Sequence, residues 1–321
     1  MDKKELLDLL NNLTFKTDNY AVGFHLCGNF DVNKGIETFR KATGKTPAVI
    51  DFDMHSLPYF SASDIAKSIS ELYDFAQKGG IIALTAHWLT PKINIKDAVC
   101  RGANNSRYNL TPEEFKDVYT NGTQLNMNFR DELDIEALFI KKLENLGIPV
   151  IFRASHEING GWFWWHKNKE YGISGEDAGK MFRFVHNYFE KDWKLKNILW
   201  EFNPSLMFLK EDAAACYPGD DYVDILSLDW YLKEGDYTAF YNELVKKAGK
   251  DMPFAVAEYG GDGNYHMEQF SLKETQDHVE RTFKNGARCA FMAFYFELPE
   301  SIDKTLSDYS VTLETINDYR N

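Results

Sequence analysis

The sequence predicts an α/β fold, a (β/α)8 TIM barrel in which residues 1–321 make a single domain. Three observations predict it. Eight short apolar runs rich in β-branched and aromatic residues recur along the chain. Helical patterns lie between most of them, so the strands repeat as parallel βα units. No low-complexity linker or shift in composition divides the 321 residues, a length that one barrel commonly occupies. An open doubly wound sheet is the competing layout. It would bring a glycine-rich phosphate loop after the first strand, and Gly28-Asn-Phe-Asp is a poor match.

The elements follow in order. YAVGFHL (20–26) is the first strand and leads to a helix near 34–43. AVIDFD (48–53) precedes a helix over 61–78, with Ser61 at its start and Gly79-Gly80 at its end. GIIALTAH (80–87) is the third strand. The long stretch 91–131 after it is expected to wall one side of a binding site. Within it TPEEFKDVY predicts a short helix starting at Thr111, with Pro112 at the first helical position. A helix over 132–147 ends at Gly147 before PVIFRASH (149–156), and Ser174 opens a helix over 176–193 before NILWEF (197–202). VDILSLDWY (223–231), a helix over 237–249, PFAVAEY (253–259), a helix over 275–285 closed by Gly286, and RCAFMAFYF (288–296) complete the eight. A terminal helix is expected over 311–319.

Composition narrows the function. A net charge of −13 opposes a nucleic-acid partner, because a polyanion needs a basic stripe, and makes an acidic polysaccharide a poor substrate. Neutral substrates remain. The cysteines (Cys27, Cys100, Cys216, Cys289) show neither paired nor metal-ligand spacing and are expected to be reduced and mostly buried. No segment is long and apolar enough to span a membrane. The start MDKKELLDLLNNL has charges throughout and no cleavage site, so the sequence as it stands predicts a cytoplasmic protein, or a secreted one whose signal peptide has been removed.

In such a barrel the catalytic groups project from the C-terminal ends of strands. Those ends carry Asp53, His87-Trp88, His156-Glu157, Asn203, Asp229-Trp230-Tyr231, Glu258 and Tyr295-Phe296. Glu157 and Glu258 stand out, since each follows an apolar strand and neither has an adjacent basic residue. Strands four and seven face each other across the mouth. Glycoside hydrolysis needs one carboxyl group to protonate the leaving oxygen and another to attack the sugar or activate water; about 5–5.5 Å between them gives retention. Arg153, His156 and Tyr231 are the donors wanted around two like charges. A lone strand-end Glu is better read as a cap or an ion-pair partner; two on facing strands, flanked by aromatics, favour chemistry. Gly160-Gly161-Trp162-Phe163-Trp164-Trp165 follows at once, and Trp is the best platform for the flat C–H face of a sugar. Trp162 is expected to face the cleft, with at least one of Trp164 and Trp165 in the core. His87 has no second His at ligand spacing, so it is read as a sugar partner and neither metal nor cofactor is expected. A serine nucleophile lacks its G-x-S-x-G elbow.

The stretch Arg153-Ala-Ser-His-Glu-Ile-Asn-Gly-Gly-Trp-Phe-Trp-Trp165 resembles the acid/base motif of glycoside hydrolase family 26, best known for β-mannanases. ATGKTPAVIDFD, AHWLTP, GIPVIFR, NILWEFNPS, VDILSLDWY and AEYG extend the likeness over nearly all of residues 20–300. The resemblance implies a retaining enzyme acting on β-1,4-mannan or mannooligosaccharides, with Glu157 as acid/base and Glu258 as nucleophile. It implies that His156 steadies the acid/base, that Tyr231 holds the nucleophile, and that His87 and Trp162 touch sugar. The candidate substrate-binding set is His87, Trp88, Arg153, His156, Trp162, Asp229, Tyr231 and Tyr295. The chain departs from the family in having Ala154 where Pro is usual. It also has Tyr295-Phe296-Glu297 where the eighth strand commonly ends in Trp, which keeps β-1,3-xylan and mixed-linkage β-glucan open as substrates.

Overall fold

The computed structural model describes residues 1–28, 30–97, 109–207, 210–231, 236–260, 272–295 and 305–320. Cys100, part of the 91–131 stretch and Phe296-Glu297 therefore lie outside the described residues.

Eight parallel strands close on themselves in sequence order: β1 (Tyr20–Leu26), β2 (Val49–Asp53), β3 (Ile81–Thr85), β4 (Val150–Arg153), β5 (Ile198–Phe202), β6 (Ile225–Trp230), β7 (Phe254–Tyr259) and β8 (Phe291–Phe294). β1 pairs with both β2 and β8, which completes the barrel. The helices are α1 (Lys3–Lys16), α2 (Val32–Thr43), α3 (Ala62–Gln77), α4 (Pro112–Val118), α5 (Gln124–Asn145), α6 (Gly175–Asn187), α7 (Lys210–Ala215), α8 (Thr238–Ala248) and α9 (Leu272–Phe283). Ser61, Thr111 and Ser174 each cap a helix and share a capping box with the acid at its third position.

Two expectations need correction. α5 starts a full turn or more before 132: Thr123 caps it, and its Asn-rich first turns are anchored by tertiary bonds. Asn126 donates to the Val118 carbonyl and Asn128 to the Pro91 carbonyl, both at 2.8 Å, so packing overrides weak intrinsic helix propensity. The terminal segment is not a helix over 311–319. Ser310–Val311 adds a short strand, β9, beside β1, and only a 3₁₀ turn follows at Ile316–Tyr319.

The barrel interior comes in layers set by the two-residue period of a strand. In the lower layer Val49, Ala83, Ile151, Leu199, Ile225 and Ala255 form one apolar cluster with the leucines of α1. Leu6, Leu9, Leu10 and Leu13 recur at helical spacing, are fully buried, and plug the amino-terminal end of the barrel. Burying each is worth roughly 2 kcal/mol. Two residues further along the same strands the interior turns polar, at Asp51, Thr85, Arg153, Glu201, Ser227 and Ala257-Glu258, all at most 3% exposed.

β7 reaches this upper layer by breaking its own period. Asp229 pairs with Glu258 and Leu228 with Val256, which leaves Ala257 without a partner on β6. The same extra residue interrupts the pairing of β7 with β8. Ala257 belongs to the inner cluster and Tyr259 to the outer one, so the bulge turns Glu258 inward where strict alternation would face it toward the helices.

Candidate active site

Arg153 is the hub of the upper layer. It comes from the end of β4, has no exposed surface, and its guanidinium nitrogens lie 2.9 Å from Asp51, 2.9 Å from Asp229 and 2.5 Å from Glu258. A buried guanidinium is tolerable only with partners of this kind. Asp51 also accepts from Thr85 at 2.7 Å and contacts Nδ1 of His25 at 3.2 Å. Burial opposes charging Asp51, yet Arg153 and His25 outweigh it and hold the carboxyl at about 2. For Glu201 burial outweighs the pull of Arg153 and Ser227 and pushes it up to about 7.

Glu258 receives Arg153 on one oxygen and the hydroxyl of Tyr231 on the other. Both are donors to the ionised form. The Tyr231 ring packs against Gly260, where an added Cβ would sit 1.9 Å from the ring, so only glycine allows this approach.

Glu157 stands in a different setting. Beyond β4 the backbone turns through left-handed conformations at Ser155 (φ 53°) and at Glu157 itself (φ 52°). Non-glycine residues held this way cost on the order of 1–3 kcal/mol each and persist only where surroundings impose them. Asn203 imposes this one: its side-chain oxygen accepts the Glu157 backbone N–H at 3.1 Å, and its amide nitrogen is tied to Asp229 and Ser227. The Glu157 carboxyl receives the indole N–H of Trp162 at 2.8 Å. Burial and the charge of Glu258 push it up to about 8, against the pull of Trp162 and Arg153. One carboxyl is thus surrounded by donors and the other is kept protonated near neutrality, a division of roles set by environment.

A histidine relay flanks Glu157. Asp53 lies 2.8 Å from Nδ1 of His87 and 3.0 Å from Nδ1 of His55, and His87 Nε2 lies 3.2 Å from His156 Nε2. The partners assign the tautomers: His87 donates Nδ1–H to Asp53, so its Nε2 accepts from His156. Burial, together with His87 and Arg153, drives His156 well below the usual histidine range. Burial also opposes charging Asp53, but His55 and His87 outweigh it and hold that carboxyl low.

The structure sorts the remaining expected residues. His87, Trp162 and Tyr295 are half-buried and line the mouth; the Tyr295 ring packs on His25 (centroids 4.9 Å) and edge-on to Tyr231 (5.9 Å). Trp164 and Trp165 are both core, as the expectation of at least one allows. Three substrate contacts require correction. Trp88 has no exposed surface and gives its indole N–H to Glu136 on α5, because its side chain points into the barrel–helix layer. Arg153 and Asp229 are also fully buried and are satisfied by each other, so they set the carboxylates from below. Sequence reasoning misses His25, Asp51, Thr85 and Glu201, and gives Asp53 and Asn203 no roles. Polar residues at inward positions of otherwise apolar strands were the available sign. It also misses that His25, Cys27 and Asp53 gather into one cluster.

A closed (β/α)8 barrel with two carboxyl groups in unequal environments, at the ends of β4 and β7, is the layout of a glycoside hydrolase. The sequence carries that assignment further: a model of glycosyl hydrolase family 26 matches residues 1–286, and the chain belongs to that family. Among similar proteins is "Mannan endo-1,4-beta-mannosidase A and B" of Caldalkalibacillus mannanilyticus, 28% identical over 266 residues, which cover 80% of this chain and 50% of the relative. The chain therefore spans about half the length of that relative. A mannan endo-1,4-beta-mannosidase of Bacillus subtilis is 26% identical over 281 residues, covering 81% of this chain and 72% of its own length. The fold matches that of the Bacillus subtilis mannanase BCman with a TM-score of 0.77 at 20% identity, over 97% of this chain and 92% of that one. Among the described residues no helix is long and apolar enough to cross a membrane.

Proposed function

We propose that this chain hydrolyses β-1,4-mannosidic linkages of mannan or mannooligosaccharides by double displacement, with retention. The carrying observation is the contrast between Glu258, braced by Arg153 and Tyr231, and Glu157, kept protonated by burial and by the charge of Glu258. Glu258 attacks the anomeric carbon while Glu157 protonates the departing glycosidic oxygen. Glu157, now ionised, takes a proton from water, which attacks the glycosyl–Glu258 ester and frees the enzyme. Trp162 and His156 keep Glu157 in place through both steps, and Trp162 offers its face to the sugar on the leaving-group side. The names of the similar proteins support mannan as the substrate.

A second reading keeps the mechanism and changes the glycan to β-1,3-xylan or mixed-linkage β-glucan. Tyr295, packed on His25 at the end of β8, favours it, because this ring stands where the family commonly has Trp. Incubation with mannohexaose, galactomannan, β-1,3-xylan and barley β-glucan separates the two. Mannooligosaccharides with the β-anomer formed first are the expected products. Turnover of xylan or glucan alone overturns the substrate, and an α-anomer overturns the mechanism.

A further inference from the structure

We propose that the ends of β1 and β2 bind a divalent cation of the zinc class through Nε2 of His25, Sγ of Cys27 and a carboxylate oxygen of Asp53. His25 lies in β1 and Cys27 just past its end, and β2 brings Asp53 beside them. The three ligand atoms lie within 4.8 Å of one another. Asp53 Oδ2 is 3.8 Å from His25 Nε2 and 3.6 Å from Cys27 Sγ. Bond lengths of about 2.0–2.3 Å at a tetrahedral zinc put neighbouring ligand atoms roughly 3.3–3.6 Å apart, close to both distances from Asp53.

Two further observations point to a ligand. His25 is 5% exposed, yet its Nε2 has no hydrogen-bond partner and faces the cluster. Its Nδ1 is taken by Asp51 at 3.2 Å, the carboxylate–histidine arrangement that directs the other nitrogen to a metal. Cys27 is exposed, which gives a cation its way in and leaves a fourth position for water. Binding displaces the thiol proton of Cys27 and the Nε2 proton that Asp51 and Asp53 favour on His25, and both pass to solvent.

The site is wired to the carboxylates. The Asp53 oxygen that would take the cation also holds His87 at 2.8 Å, and His87 contacts His156 beside Glu157. A cation on that oxygen weakens its hold on His87, so occupation slows turnover.

Cobalt(II) titrated into the full chain tests the site without reference to activity. One equivalent is expected to give tetrahedral d–d bands and a thiolate-to-cobalt charge-transfer band, displaced by Zn²⁺ and lost in Cys27→Ser. Absence of the thiolate band, or its survival in Cys27→Ser, overturns the site. The link to turnover rests on the glycosidase reading and has its own readout. Zn²⁺ is expected to lower the wild-type rate severalfold and to leave Cys27→Ser, whose basal rate matches wild type, unaffected. Equal slowing of both, or of neither, overturns the link.

Discussion

At the amino-terminal end of the barrel the leucines of α1 share one apolar cluster with Ile151 and Leu199; two residues along the same strands, Arg153 bridges Asp51, Asp229 and Glu258, with Glu201 in electrostatic reach. Both layers are buried, and both use the same alternation of inward positions. They differ in what burial does. Below, it removes apolar surface from water and stabilises the fold. Above, it removes charges from water, which is tolerable only where Arg153 partners them, and the imperfect balance raises Glu157 to about 8 and Glu201 to about 7. The lower layer holds the barrel shut; the upper one holds the carboxyl groups to which the chemistry is proposed to belong.

This contrast can be broken or sharpened by substitution. The largest effect is expected at Glu258. Glu258→Ala removes the proposed nucleophile and should lower kcat/KM on the order of 10⁴-fold or more, since residues that act as a unit cannot be lost singly. Near-normal hydrolysis by this variant would mean that the upper layer does not act through Glu258. Next comes Glu157→Ala, expected to lower rates on unactivated glycans by about 10²–10⁴-fold while sparing aryl glycosides with good leaving groups.

The pH profile sharpens the same point. As the proposed acid, Glu157 must carry its proton, so wild-type activity should fall as pH rises through about 8. Its folded pKa lies above its unfolded value of about 4.3, so its contribution to stability is whole below that pH and lost as pH rises toward 8. Urea melts of wild type and Glu157→Gln should therefore show the variant gaining relative stability between those limits. A constant difference would contradict the assigned shift.

Leu10→Ala examines the other layer. A cavity there should cost about 2–5 kcal/mol, read by denaturant titration, with kcat/KM unchanged well below the melting temperature. Should activity fall in step with stability, the two layers are not separable. The smallest effect is expected from Trp162→Phe. It removes the indole N–H that stabilises ionised Glu157, so the alkaline limb should move up in pH while the rate drops by about tenfold. An unmoved limb would show that the indole acts on sugar alone.

Much of this was legible in the chain. The eight strands and most of the helices follow from short apolar runs, helical periodicity, Ser and Thr caps and Gly stops. Glu157 and Glu258 are legible because two strand-end carboxylates on facing strands exceed what capping or ion pairing requires. Trp88 was misplaced because a strand-end aromatic looks the same whether it turns to the cleft or to Glu136 on α5. Arg153 and Asp229 were drawn toward substrate for a similar reason: sequence marks them as polar near the mouth, while depth within the barrel depends on shear and tilt.

What the sequence determined by itself is the alternation, the order of the strands and the residue types that reach the mouth, since these depend on local period and on what water will accept. The tertiary structure decided the rest. It placed the extra residue in β7 that turns Glu258 inward, because a bulge is defined only against its neighbours β6 and β8. It imposed the left-handed backbone at Glu157, which local preference opposes and Asn203 from another strand maintains. And it raised the proton affinity of Glu157, because desolvation and Coulomb interaction depend on distances between residues far apart in the chain.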